Sequence, residues 1–146
     1  METPKVNEAK QTELKKQPET PEKAAPEKNK KTVIIIGASS GIGYESALKL
    51  IGRNYDVVNI SRTPCPLERV KNYAADITVG STLEKALHAV AEKTQYFYAL
   101  VYCAGFSMAA PIEYVNQKDY RYLFEVNFFG ALRAIQSAVP FMKKKG

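Results

Sequence analysis

The segment Thr32–Gly43 constrains this chain more than any other. Thr32-Val33-Ile34-Ile35-Ile36 is an unbroken β-branched run. It lacks polar alternation, so both faces of such a strand need cover, as in the interior of a parallel sheet. The run ends at Gly37, and Gly37-Ala38-Ser39-Ser40-Gly41-Ile42-Gly43 opens a helical pattern that reaches about Arg53. A glycine-rich turn in that position has a physical use: Gly37 permits the tight turn, Gly41 lets a pyrophosphate approach the backbone, and Gly43 lets helix and sheet pack closely. The helix start offers N–H groups and the positive end of its dipole to phosphates. Ser39 and Ser40 add hydroxyl donors. An ordinary Gly/Ser turn between strand and helix has the same letters, so the turn alone leaves both readings open.

The pattern then repeats. Ile42, Ala47, Leu50 and Ile51 are expected on the inner face of the first helix, and Gly52 and Asn54 suit its end. Val57–Ile60 reads as a second strand, Asn72–Ala75 as a third ending at Asp76, and Phe97–Tyr102 as a fourth closed by Cys103-Ala104-Gly105. Pro64 and Pro66 argue against a regular helix between strands two and three, where an extended loop or one helical turn is expected. Ser81 is expected to cap the next helix, with Glu84 three residues on, and Leu83, Ala86, Leu87, Val90 and Ala91 form its inner stripe. Asn116 suits the cap of a short helix through Tyr122. A longer helical stretch reaches about Met142, with Phe128, Ala131, Leu132, Ile135, Ala138, Val139 and Met142 as its expected buried stripe. Alternating strands and helices predict an α/β fold, a Rossmann-like doubly wound parallel sheet with four strands present.

Residues 1–31 differ in kind from the domain expected over 32–146. They hold 8 Lys, 6 Glu and four prolines, no aromatic residue, and Val6 and Leu14 as large aliphatics. So little apolar surface cannot offset the entropy of ordering, and a disordered tail is expected, with transient helix near Glu8–Lys16. The net charge of +6 is concentrated in this tail and in Lys143–Lys145. A nucleic-acid binder places its charge on a folded face, so no nucleic-acid partner is expected. No window approaches the roughly 18 apolar residues of a membrane helix, and the polar first 30 residues hold no signal-peptide core. A cytoplasmic protein without a membrane partner is expected. Cys65 and Cys103 match no metal spacing, and His88, the single histidine, falls on a helix surface. No metal site is expected, and a Ser-His-Asp hydrolase is disfavoured.

At the end of strand two stand Ser61 and Arg62. Dinucleotide folds that take NAD place an acidic residue there for the ribose 2′-hydroxyl. Ser61 offers no repulsion to a 2′-phosphate, and the Arg62 guanidinium can meet one with a bidentate fork. NADP is therefore favoured over NAD. A solvated loop cation is the other reading of Arg62.

Four landmarks occur in order: Ile36-Gly37-Ala38-Ser39-Ser40-Gly41-Ile42-Gly43, Asp76-Ile77, Tyr102-Cys103-Ala104-Gly105 and Val126-Asn127-Phe128-Phe129-Gly130. Over about residues 32–146 they resemble the short-chain dehydrogenase/reductase family. The resemblance implies an NADP(H)-dependent oxidoreductase moving hydride to or from a small carbonyl or alcohol substrate. It implies that Asp76 and Ile77 hold the adenine ring. Cys103, Ala104 and Gly105 join the glycine-turn residues Gly37, Ser39, Ser40, Gly41, Ile42 and Gly43 in binding the cofactor. Asn127 becomes the catalytic-site asparagine, supporting a helix kink and an ordered water of the proton relay. A core asparagine bonded to backbone also fits its apolar setting, where an unpartnered buried amide costs roughly 1–3 kcal/mol.

The chain departs from the family at Ile36, where Thr is usual, and at Tyr102-Cys103, where two Asn brace the sheet. The family's fifth strand with its catalytic Ser, and the following Tyr-x-x-x-Lys, are expected beyond Gly146. Tyr114 and Lys118 match the letters but precede the asparagine motif and are set aside. The chain alone is accordingly expected to be an inactive fragment of an enzyme. The family's helices four and five often pair between subunits, which implies a homo-oligomer. The alternative is a non-catalytic nucleotide-binding or interaction module.

Overall fold

The β-branched run forms one of two inner strands of a parallel sheet. The computed structural model describes residues 31–94 and 97–142; the expectations for the tail before Lys31 and for the terminal lysines lie outside the described residues. Strand β1 (Thr32–Ile36) is buried along its whole length. It is flanked by β2 (Asp56–Ser61) and β4 (Phe97–Tyr102), while β3 (Val70–Ala74) pairs with β2. The order is β3-β2-β1-β4 and every pairing is parallel. Ile36 is registered with Ile60 and Tyr102, so three strands end level beside the glycine turn. Chain order reverses between β1 and β4, the switch point where open α/β sheets leave a crevice.

Helix α1 (Gly41–Gly52) covers one face through Gly43, Ala47 and Ile51. These pack with the outward teeth of the strands, Val33, Ile35 and Val57. Ile42, expected on that inner face, is 82% exposed. The buried stripe runs at i, i+4 and i+8 from Gly43, which turns Ile42 away by one residue step. Asn54 closes the helix with φ 65, as its letter suggested.

Helix α2 (Gly80–Ala91) covers the other face, with Leu83, Ala86, Leu87 and Val90 buried against Ile34, Ile36, Val58 and Ile60. Ser81 does not cap it. The helix begins two residues earlier, its N-cap residue Val79 makes no side-chain cap, and Ser81 is exposed. Thr82 instead reaches back: its Oγ1 accepts the Asp76 N–H at 3.1 Å.

Asn116 does cap α3 (Gln117–Phe124), accepting the Asp119 N–H at 3.0 Å. A single wide π turn (Glu125–Phe129) then leads into α4 (Gly130–Met142). The expected α4 stripe is corrected here. Gly130, Ala134 and Ala138 are the buried residues, while Phe128, Leu132 and Ile135 are exposed. Of the expected stripe, Ala138 is buried as read, and Ala131, Val139 and Met142 are half-buried. Small residues also let α4 approach closely: a Cβ on Gly130 would stand 2.5 Å from Tyr102 Oη and 3.3 Å from Ile77 Cδ1. The β2–β3 connection, Arg62–Arg69, runs without a helix, as its prolines implied.

Candidate functional site

The carboxyl ends of the four strands converge on a cavity of about 410 Å³. Gly37, Ser39 and Ser40 come from the glycine turn, and Ser61 and Arg62 from the end of β2. Asp76 and Ile77 follow β3; Cys103, Ala104 and Gly105 follow β4. All four sequence landmarks thus reach one place, the fourth through Val126. Gly41, Ile42, Gly43 and Asn127 do not line the cavity.

Gly37 has φ +91, and a Cβ there would stand 2.8 Å from Ala104 N and 2.9 Å from Ala104 Cα. A Cβ on Gly43 would overlap the Gly37 carbonyl oxygen. The turn is therefore pressed against the end of β4 on one side and against its own helix on the other. Gly41 has φ +55 and open space where a side chain would project. Ser40, extended at the N-cap position, makes no side-chain cap. The first-turn N–H groups of α1 keep their capacity to donate to an anion.

Asp76 is held by the turn after β3. Its Oδ1 accepts the Thr78 N–H at 2.9 Å and the Thr78 hydroxyl at 2.7 Å. These bonds favour the ionised form and hold the carboxyl below its ordinary value of 3.8, with a smaller contribution from Arg62. A depressed carboxylate contributes stability that is present above 3.8 and lost as pH falls through the lower folded value. Thr78→Val removes the hydroxyl donor, so the Asp76 carboxyl titration followed by NMR should move up toward 3.8. An unchanged titration would remove Thr78 as the cause.

Asn127 sits in the π turn and is exposed, contrary to the buried setting its neighbours suggested. Phe124, Phe128 and Phe129 are themselves exposed, so apolar sequence around Asn127 does not make a core. Its amide grips backbone: Oδ1 accepts the Phe106 N–H at 3.1 Å, and Nδ2 donates to the Phe106 carbonyl at 2.8 Å. Phe106 lines the cavity, so Asn127 fixes one wall. A Cβ on Gly105 would come within 3.0 Å of the same Oδ1.

Two further ties hold the π turn. Tyr102 Oη donates to the Val126 carbonyl at 2.6 Å, and burial pushes that phenol above its usual range. Arg133 donates to the Ile77 carbonyl through Nε at 3.1 Å and Nη2 at 2.8 Å, and pairs with Glu125 at 2.7 Å. Where the family has an asparagine brace, Tyr102 thus fastens the end of β4 to the helix. Cys103 beside it is half-buried, which pushes its thiol up.

Sequence reasoning missed Asn59. It is 1% exposed in β2, its Oδ1 accepts the Ala38 N–H at 2.8 Å, and its Nδ2 donates to Asn72 Oδ1 at 2.8 Å. The readable signal was one amide inside Val57-Val58-Asn59-Ile60, because a buried amide demands partners. Thr78 and Thr82 were missed as well.

Tyr114 lies in a 3₁₀ turn (Ile112–Tyr114) and is 80% exposed; Lys118 is exposed in α3, and neither lines the cavity. His88 is exposed on α2, its ring edge against Phe141 at 5.1 Å. Among the described residues no cluster of His, Cys, Asp or Glu could hold a metal ion, and no helix is long and apolar enough to cross a membrane.

The short chain dehydrogenase family model matches residues 31–146. YusZ of Bacillus subtilis, an uncharacterized oxidoreductase, is 34% identical over 130 residues, covering 81% of this chain and 46% of its own length. YbbO of Escherichia coli K12, also an uncharacterized oxidoreductase, is 31% identical over 122 residues, covering 80% and 45%. Among solved structures, ligand-free aldohexose dehydrogenase of Thermoplasma acidophilum superposes with a TM-score of 0.75 at 26% identity, over 77% of this chain and 44% of that one. The chain spans about half the length of the curated relatives it matches. Parallel order β3-β2-β1-β4, a glycine turn pressed against the end of β4, and these matches lead to one conclusion: the chain belongs to the short chain dehydrogenase family of oxidoreductases.

Proposed function

We propose that this chain is the nucleotide-binding part of an NADP(H)-dependent oxidoreductase acting on a small carbonyl or alcohol. The observation that carries the cofactor choice is Arg62, exposed at the cavity wall where β2 ends, with Ser61 in place of an acid beside it. The cavity fits the adenosine end of a dinucleotide: a Cβ-free turn for the pyrophosphate, a cation for the 2′-phosphate and a fixed carboxylate at Asp76. Asp76 and Ile77 bound the adenine, and Cys103, Ala104 and Gly105 the adjoining ribose. Asn127 acts on the chemistry by holding Phe106. When bound, the nicotinamide gives or takes the hydride. Free thiols at Cys65 and Cys103 fit a reducing compartment, the cytoplasm.

Arg62→Asp tests the cofactor choice. Loss of a bidentate contact and a new repulsion act together, so NADPH affinity should fall by at least about tenfold while NADH affinity holds or rises. A titration giving the same NADPH-to-NADH ratio before and after the change removes Arg62 as selector.

Self-association follows from two exposed features. Strand β4 is the sheet's edge in the order β3-β2-β1-β4, and α4 exposes Leu132 and Ile135 beside Phe128 of the π turn. An open strand edge and an apolar helix face both favour pairing. Sedimentation at micromolar concentration should give a dimer or larger species; a single monomeric boundary counts against it.

A further inference from the structure

We propose that Asn59 and Asn72 are positioning residues that hold the Arg62 loop where it can grip a ribose 2′-phosphate. This rests on the cofactor reading above and adds which side chains make the loop competent. The loop Arg62–Arg69 has no helix, so helical hydrogen bonds do not order it. Asn72, in β3, supplies a substitute. Its Oδ1 accepts the Cys65 N–H at 2.8 Å, and its Nδ2 donates to the Cys65 carbonyl at 3.0 Å. A side-chain amide paired both ways with one residue's backbone fixes that residue as a strand neighbour would. The Cys65 side chain is buried with Val33, Ala47 and Val57, which pins the same point from the core side.

Asn59 joins this anchor to the glycine turn. Its Nδ2 donates to Asn72 Oδ1 at 2.8 Å and to Ser61 Oγ at 3.0 Å, while its Oδ1 accepts the Ala38 N–H at 2.8 Å. Ser61 Oγ donates onward to the Thr63 carbonyl at 2.5 Å, closing the bend around Arg62. One hydrogen-bonded path therefore connects the turn that meets the pyrophosphate with the loop that carries the guanidinium. Both ends of the path line the same cavity, at Ser39 and Ser40 on one side and at Ser61, Arg62 and Thr63 on the other. Arginine is long and rich in rotamers, so its bidentate reach depends on where its backbone is held. The asparagine pair holds that backbone at a fixed offset from the phosphate turn. Selectivity for the 2′-phosphate then belongs to the pair as well as to Arg62.

The test uses the full chain and two probes, adenosine 2′,5′-bisphosphate and 5′-AMP, measured by titration calorimetry. Asn72→Ala leaves the Asn59–Ala38 bond in place and frees the loop. Affinity for the bisphosphate should fall about five- to tenfold, with 5′-AMP changed by less than about twofold. In an Arg62→Ala background the same Asn72→Ala change should no longer affect the bisphosphate. The Cys65 amide should exchange faster with deuterium in Asn72→Ala, while the amides of β1 keep their protection. Equal weakening of both probes makes the pair merely structural and overturns the proposal, as does an unchanged bisphosphate-to-AMP ratio. A wild-type chain that binds neither probe, or both equally, brings down the cofactor reading and the loop assignment together. A wild-type preference that survives Asn72→Ala brings down the loop assignment alone.

Discussion

Gly37→Ala should destabilise the folded chain by about 2–4 kcal/mol and remove nucleotide binding at the cavity. Two costs act at one atom. The backbone at Gly37 has φ +91, outside the region an L side chain accepts without strain. The added Cβ also stands 2.8 Å and 2.9 Å from two backbone atoms of Ala104, which cannot swing aside as a side chain would. Relief requires the end of β4 to retreat. That loosens the Cys103 N–H bond to the Ile36 carbonyl at 2.8 Å and the Gly37 N–H bond to the Ile60 carbonyl at 3.1 Å. Gly41→Ala supplies the contrast: φ +55 costs about 1 kcal/mol for alanine, and no atom lies within 4 Å of the new Cβ. Gly52→Ala, also without a neighbour within 4 Å and with no positive φ, should be neutral or stabilising. Urea unfolding of the three variants ranks them. If Gly37→Ala costs no more than Gly41→Ala, the close approach of turn and β4 is not what the glycine serves.

That ranking could not be drawn from the sequence, although the turn itself could. An uninterrupted β-branched run before Gly37 and an apolar period after Gly41 settle strand, turn and helix, because burial on both faces leaves few alternatives. Arg62 was legible from its place at the end of a strand, whereas Asp76 and Cys103–Gly105 were legible as site residues only through the family resemblance; all of them line the cavity because parallel strands end together. Helix α4 was misread in part: Ala138 is buried as expected, but Leu132 and Ile135 are exposed, and Gly130 and Ala134 take the packed positions. Bulky side chains carry the strongest hydrophobic signal, yet close packing against β4 selected the smallest ones. Tyr102 was legible only as a lost asparagine. Its gain, a hydroxyl long enough to reach the Val126 carbonyl, depends on a helix whose distance no letter encodes.

The 146 residues by themselves should bind an adenine nucleotide and turn over no carbonyl substrate. The glycine turn, Arg62 and Asp76 all line the cavity, and on the proposed reading they are the contacts for the adenosine end. A proton donor at the reacting end is a different matter. Resemblance assigns that work to the Tyr of a Tyr-x-x-x-Lys pair, and the pair present here, Tyr114 and Lys118, lies exposed and away from the cavity. The Tyr102 phenol is committed to the Val126 carbonyl and shifted up by burial. Tyr122 does line the cavity, with its ring 5.5 Å from Phe106, and among the described residues is the phenol placed to be tried. General acid–base help is worth about 10²–10⁴-fold. The assay follows NADPH absorbance over a carbonyl panel, with 5′-AMP binding as proof of a folded site and with host reductases removed. Background rates are expected throughout. Turnover abolished by Tyr122→Phe would place the proton donor in α3. Turnover abolished by Tyr114→Phe or Lys118→Ala would mean that the exposed pair moves to the cavity when substrate binds, and either result would overturn the prediction that these 146 residues turn over no substrate.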